Sequence, residues 1–170
     1  ASLTVNYDIL PSLKYNIQGA VNISNSYRDY FQPSRNDDIA SVRPAGNSSY
    51  AESSKGVYST LFFQQGLNYA KTISAAKHKH NLVATVSQQF SRDVSNNTYV
   101  AGYNIPSNDI QVVSGVAQSD LYGSSSYAAS ALVSLLGQVQ YDMDKKYLLY
   151  LTYRADASSR FGDNSKWGYF

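Results

Sequence analysis

From Leu13 to Ser24 the chain alternates without a break. Leu13, Tyr15, Ile17, Gly19, Val21 and Ile23 fall on one side, and Lys14, Asn16, Gln18, Ala20, Asn22 and Ser24 on the other. Strict period two places these sets on opposite faces of a β-strand, whereas a helix would scatter them around its circumference. The pattern recurs at Leu3 to Ile9, Val57 to Tyr69, Leu82 to Phe90, Val133 to Tyr141 and Tyr147 to Tyr153. Together these predict an all-β chain with six amphipathic strands.

The connections alternate as well. Short turns fall at Leu10–Ser12, Thr72–Lys79 and Met143–Lys145. Long stretches rich in Ser, Asn, Gly, Asp and Tyr run from about 31 to 55 and from about 92 to 130. Loops of that length are rare inside compact domains and tend to be functional or disordered. In an antiparallel up-and-down meander, all short turns gather at one end and all long loops at the other. Outer-membrane barrels have this asymmetry, with an apolar lipid face and a polar lumen. Tyr7, Tyr69, Tyr141 and Tyr147 stand at strand ends, where an interfacial aromatic girdle is expected. Membrane barrels begin at eight strands, so six imply a segment of a larger barrel.

Composition excludes several other classes. Fourteen basic residues face twelve acidic ones, a net charge of +2 with no basic face concentrated enough to suggest a nucleic-acid partner. There is no cysteine, hence no disulfide framework, thiol nucleophile or cysteine-based zinc site. No run of 18 apolar residues offers a transmembrane helix. The first residues carry no basic segment followed by an apolar one, so no signal peptide is expected there.

The stretch Lys146-Tyr-Leu-Leu-Tyr-Leu-Thr-Tyr-Arg-Ala-Asp-Ala-Ser-Ser-Arg-Phe-Gly, continuing to Trp167-Gly-Tyr-Phe170, resembles a signature of the SusC/RagA family. These are TonB-dependent outer-membrane transporters of Bacteroidota. The family pattern has a tyrosine-led strand, then Arg-x-Asp-Gly-Ser-Ser-Arg-Phe-Gly, then Trp-Gly-Tyr-Phe-Pro. Ala157 replaces the usual glycine, and the chain ends before the proline. Leu10-Pro11-Ser12-Leu13 and His80-Asn81-Leu82 are weaker similarities. Nothing resembles a TonB box, a plug domain or a C-terminal barrel strand. The resemblance implies that residues 1–170 are one partial barrel domain within a wall of about 22 strands. It further implies a parent transporter in the bacterial outer membrane that imports oligosaccharides or peptides. Its partners would be the remaining strands and plug, outer-membrane lipid, a SusD-like surface lipoprotein, and TonB acting through the plug.

Arg154, Asp156 and Ser158 share the face opposite Leu149 and Leu151. They read either as a lumen contact to substrate or plug, or as a structural charge network near the rim. Tyr99, Tyr103, Tyr122 and Tyr127 fall in the second long stretch among amides and hydroxyls. Aromatic faces with polar neighbours suit sugars or peptides; the same residues could simply pack a loop. His78 and His80 have the spacing of a two-histidine metal pair, yet no third ligand follows, and Lys77 and Lys79 would repel a cation. No metal or other cofactor is expected. Serines abound, but Gly-x-Ser-x-Gly is absent, and the adjacent Asp37 and Asp38 make a poor carboxylate pair, so no catalytic residue is expected. The alternative to a transporter segment is a surface adhesin or a soluble β-sandwich binding module, whose apolar faces would pack against each other.

Overall fold

Seven antiparallel strands run in chain order through one open sheet, β1-β2-β3-β4-β5-β6-β7. The computed structural model describes residues 1–34, 49–75, 77–162 and 166–170. Asp37 and Asp38 lie outside the described residues. The strands are β1 (Ser2–Leu10), β2 (Leu13–Gln32), β3 (Tyr50–Ala75), β4 (His78–Tyr103), β5 (Leu121–Met143), β6 (Tyr147–Ser158) and β7 (Trp167–Tyr169). A single sheet, rather than two facing sheets, rules out the sandwich arrangement.

Two expectations are corrected. The strands number seven, not six, because Trp167–Tyr169 folds back along β6. Tyr169 lies opposite Ala155 and Trp167 opposite Ala157, and Phe170 exchanges both backbone hydrogen bonds with Arg154. The distal half of β6 is therefore an interior partner and not a sheet edge. The long stretches are also shorter than expected. Residues 50–55, 92–103 and 121–130 belong to β3, β4 and β5, since backbone ladders hold them extended without an apolar stripe. Between Tyr103 and Leu121 the chain forms two short 3-10 turns, Val113–Gly115 and Gln118–Asp120.

The chain divides into two units. The first comprises Ala1–Asn22, Ser59–Asp93 and Ala129–Phe170, and the second Ile23–Tyr58 and Val94–Ala128.

In the first unit, cross-strand register sorts side chains by face. Directly opposed pairs put Leu3 with Gly19, Val5 with Ile17 and Tyr7 with Tyr15 on one face, and Thr4 with Gln18 and Asn6 with Asn16 on the other. On the polar face Asn68 Nδ2 donates to Asn16 Oδ1 at 3.4 Å, and Thr85 Oγ1 donates to Asn68 Oδ1 at 2.9 Å. Thr60 bonds Asp93, and Thr72 bonds Asn81, in the same β3–β4 register. The opposite face carries Leu61, Phe63, Leu67, Val86, Val139, Leu149 and Leu151, interrupted by one polar relay. There Tyr15 OH donates to Gln65 Oε1 at 2.8 Å, and Gln65 Nε2 donates to Gln88 Oε1 at 3.1 Å. Among the described residues nothing covers this apolar face: Leu149 is 50% and Leu151 56% exposed. Ala155 is the one buried hydrophobic residue in the described part of the unit.

The second unit has a small conventional core. Ala51, Ile105 and Val116 are buried, with Phe31, Val113 and Leu121 against them. Ser49 locks residue 105 beside it: its hydroxyl receives the Ile105 N–H at 2.8 Å and donates to the Ile105 carbonyl at 3.0 Å. Asn104 takes φ 61°, a left-handed conformation that asparagine tolerates, and its amide bonds Asp120.

Candidate functional site: a tyrosine cluster at the long-loop end

β3 opens with Tyr50-Ala51-Glu52, and alternation sends Tyr50 and Glu52 to one side while Ala51 enters the core. β4 ends with Tyr99 and Tyr103, also on one side, and β5 begins beside them at Tyr122. The result is a run of aromatic rings across four strands. Centroids lie 6.1 Å apart for Tyr30–Tyr50, 5.1 Å for Tyr50–Tyr103, 6.0 Å for Tyr103–Tyr122 and 6.2 Å for Tyr99–Tyr122. These separations fall in the favourable range for tilted and offset aromatic pairs.

Polar atoms tie the rings together. Tyr50 OH donates to Glu52 Oε2 at 2.7 Å and sits 2.9 Å from Tyr99 OH. Arg28 Nε contacts Glu52 Oε1 at 3.1 Å, and its guanidinium lies 5.9 Å over the Tyr30 ring. Burial, then the hydrogen bonds with Tyr99 and Glu52, push the Tyr50 phenol well above its usual range, and a hydrogen bond with Tyr122 raises Tyr103. Both stay neutral hydroxyls; the single Tyr50 proton is committed to Glu52, so its oxygen can only accept. A cleft of about 250 Å³ adjoins Glu52, lined also by Asp29, Ser53, Gln111 and Ser114. Rings that stack, neutral hydroxyls and carboxylates can hold the apolar edges and the polar groups of a sugar or peptide.

Of the four tyrosines singled out in the sequence, the structure brings together Tyr99, Tyr103 and Tyr122. All lie on strands rather than in a loop. Tyr127 stands apart, 65% exposed and outside these ring contacts. Sequence reasoning missed Arg28, Tyr30, Tyr50 and Glu52. The Tyr-x-Glu spacing at Tyr50 was the available signal, hidden because 31–55 reads as loop.

Arg154 and Asp156 form a forked ion pair, with Arg154 Nε 3.0 and 2.9 Å from the two carboxylate oxygens. Each charge thus has its partner on the same strand, as a structural network would. Ser158 does not join them. Its hydroxyl accepts the Arg160 N–H, and Arg160 reaches Ser130 Oγ at 3.1 Å.

The histidines separate. His78 Nδ1 lies 2.6 Å from Asp144 Oδ2, and His80 Nδ1 lies 2.7 Å from Tyr141 OH. Asp144, distant in sequence, brings a carboxylate to His78 through the β5–β6 turn. Among the described residues no three His, Asp or Glu side chains gather as a metal site.

An open antiparallel meander of amphipathic strands in chain order is the architecture of a barrel wall. Solved structures share it. The chain matches the structure of the RagAB peptide transporter with a TM-score of 0.84 at 17% identity, over 99% of this chain. The RagAB peptide importer matches in its open-open state with a TM-score of 0.80 at 18% identity, and in its closed-closed state with 0.80 at 19%. The chain spans 18% of the length of each of those chains. Its fold is that of a segment of such a transporter barrel. No family model and no curated protein matches the sequence.

Proposed function

We propose that this chain is a stretch of the wall of an outer-membrane, TonB-dependent importer of large polar nutrients, peptides or oligosaccharides. The observation that carries this reading is the uncovered apolar face of the first unit beside a hydrogen-bonded polar face. Lipid is the medium that favours the one, and a water-filled lumen the other. The apolar stretches Tyr15–Ile23, Leu61–Tyr69, Leu82–Phe90 and Val133–Tyr141 have about the length a tilted strand needs to cross the hydrocarbon, and Leu3–Ile9 and Tyr147–Tyr153 lie within the longer strands β1 and β6. Unpaired backbone groups on β1 and on Tyr147–Tyr153 of β6 would be costly there, so further strands of the same barrel must complete both edges.

In this reading the short turns face the periplasm, and the tyrosine cluster belongs to the external mouth. Counting by twos along β3 and β4 puts Tyr50 and Tyr103 in the same series as Asn68 and Thr85, the lumen series. Tyr50, Tyr99, Tyr103, Tyr122 and Glu52 hold incoming substrate, and Arg28 orients Glu52. A SusD-like surface lipoprotein covers the mouth, a reading that the RagAB neighbours support, and TonB acts through the plug, as the resemblance around Arg154–Gly162 implies.

The test is uptake by cells carrying the full-length protein. Replacing Tyr99 and Tyr122 with alanine should raise the half-saturating concentration of a peptide or oligosaccharide substrate about tenfold or more, at unchanged surface abundance. Unchanged uptake would remove the cluster from substrate contact. Abundance in a soluble fraction, without detergent, would remove the barrel reading itself.

A further inference from the structure

Lysines gather at the short turns of this fold, Lys55 and Lys166 excepted. Lys14, Lys71, Lys77, Lys79, Lys145 and Lys146 sit in, or within four residues of, the short turns, and none of the arginines does. Lys14 is neutralised by Asp8 at 3.5 Å. Lys71, Lys77, Lys79, Lys145 and Lys146 have no carboxylate in ion-pair contact among the described residues.

The nearby carboxylates are occupied otherwise. Asp144 clasps the β3–β4 turn to the β5–β6 turn: its Oδ1 receives the Lys79 N–H at 2.7 Å, its Oδ2 meets His78, and its own N–H donates to the Lys79 carbonyl at 2.8 Å. Asp142 receives Asn81 Nδ2 at 2.9 Å. Lys77, Asp144 and Lys145 hold φ of 72°, 55° and 56°, left-handed conformations found at tight turns. The clasp sets two lysine-bearing turns side by side with their acids already engaged.

The apolar face runs into this rim. Lys71 continues the series Leu67, Tyr69, and His80 stacks on Tyr141 with centroids 6.0 Å apart, in the series of Val139. Unpaired ammonium groups thus border aromatic hydroxyls and an aliphatic surface. A free anion would use the charge alone. An amphiphile with an anionic headgroup uses both, its phosphate at the lysine-bearing rim and its acyl chains along Leu67, Tyr69 and Val139. Lysines are suited to such a border, because the stem stays on apolar surface while the ammonium reaches water.

We propose that the short-turn rim is a seat for the phosphate headgroup of an anionic phospholipid. The inference rests on the reading that the apolar face meets lipid, and it adds a headgroup preference that a barrel wall does not require. Detergent-purified full-length protein, incubated with equal phosphatidylglycerol and phosphatidylcholine, should retain the anionic lipid preferentially by native mass spectrometry. Replacing Lys71, Lys77, Lys145 and Lys146 with glutamine should abolish that preference, up to about fivefold per lysine. The single variant Lys71→Gln should weaken it and Lys71→Arg keep it, which separates charge from misfolding. Equal retention of both lipids, or a preference that survives the fourfold variant, overturns the seat while leaving the barrel intact. Inorganic phosphate raising the melting temperature as much as phosphatidylglycerol overturns it in favour of a soluble-anion site. Retention of neither lipid by a protein soluble without detergent overturns the barrel reading and the seat together.

Discussion

The two units share strands but solve the burial problem differently. The second unit hides Ala51, Ile105 and Val116 beneath a folded connection, as a water-soluble protein would, and packs half-buried tyrosines against one another beside them. The first unit has longer apolar series yet buries almost none of them in protein. Its polar face, in contrast, is satisfied by cross-strand bonds from Asn16, Asn68, Thr85 and Asn81. A strand can thus pass from one solvent regime to another without changing its backbone. What changes is which face needs cover, and that is visible as alternation in one region and its loss in the next.

Substitution should distinguish the two most sharply at Leu151. An arginine there, on the lipid face, should cost about 2–4 kcal/mol in the folded full-length protein, read by urea unfolding in vesicles. The same change at the neighbouring Thr152 should cost little, because that side chain has water or protein before it. Equal effects would erase the difference between the faces.

The second unit responds to its rings. Tyr103→Ala removes two ring contacts and should cost roughly 1–3 kcal/mol. Hydrogen exchange should rise at residues 50–55 and 99–103 while the amides of Leu61–Tyr69 stay protected. Tyr127→Ala, outside the cluster, should leave both unchanged.

Protonation separates the two ends by sign. The raised Tyr50 and Tyr103 groups contribute stability that is present below the ordinary tyrosine pKa, about 10, and is lost as pH rises beyond it. Exchange in the second unit should therefore increase first at alkaline pH, and Tyr50→Phe should blunt that response. Asp144 is lowered, first by the Lys79 backbone N–H and then by His78. Its contribution is present above the ordinary carboxylate pKa, about 4, and is lost as pH falls through the lowered value. Asp144→Asn should remove this small acid-side effect at the turns and spare the tyrosines.

The strands that alternate were legible because one face must be apolar, and the tight turns were legible because Pro11-Ser12 and Asp144-Lys145 punctuate the pattern. The outer reaches of β2 to β5 were not. Segments such as Val94-Ser-Asn-Asn-Thr-Tyr99 need no apolar stripe, since the ladder and cross-strand tyrosines hold them. For the same reason Tyr50 and Glu52 were assigned to a loop, and half of the candidate site went unseen. Nothing local announces β7 either: Trp167-Gly168-Tyr169 is a strand only because Ala155 to Ala157 lie beside it. The Asp144 clasp joins residues far apart in sequence, and no spacing rule connects them.

The central claim is that one face of the first unit meets lipid and the other water. This chain has no cysteine, so single cysteines carrying a spin label report without background once any cysteine elsewhere in the full-length protein is replaced. Labels at successive positions 147–153 of the full-length protein in bilayers should alternate. Sites 147, 149, 151 and 153 should be accessible to molecular oxygen, which concentrates in hydrocarbon, and sites 148, 150 and 152 should not. Labels at 51–55 of β3 should show no such lipid signal. Equal oxygen accessibility at even and odd positions, or the lipid signal on the even ones, would contradict the account.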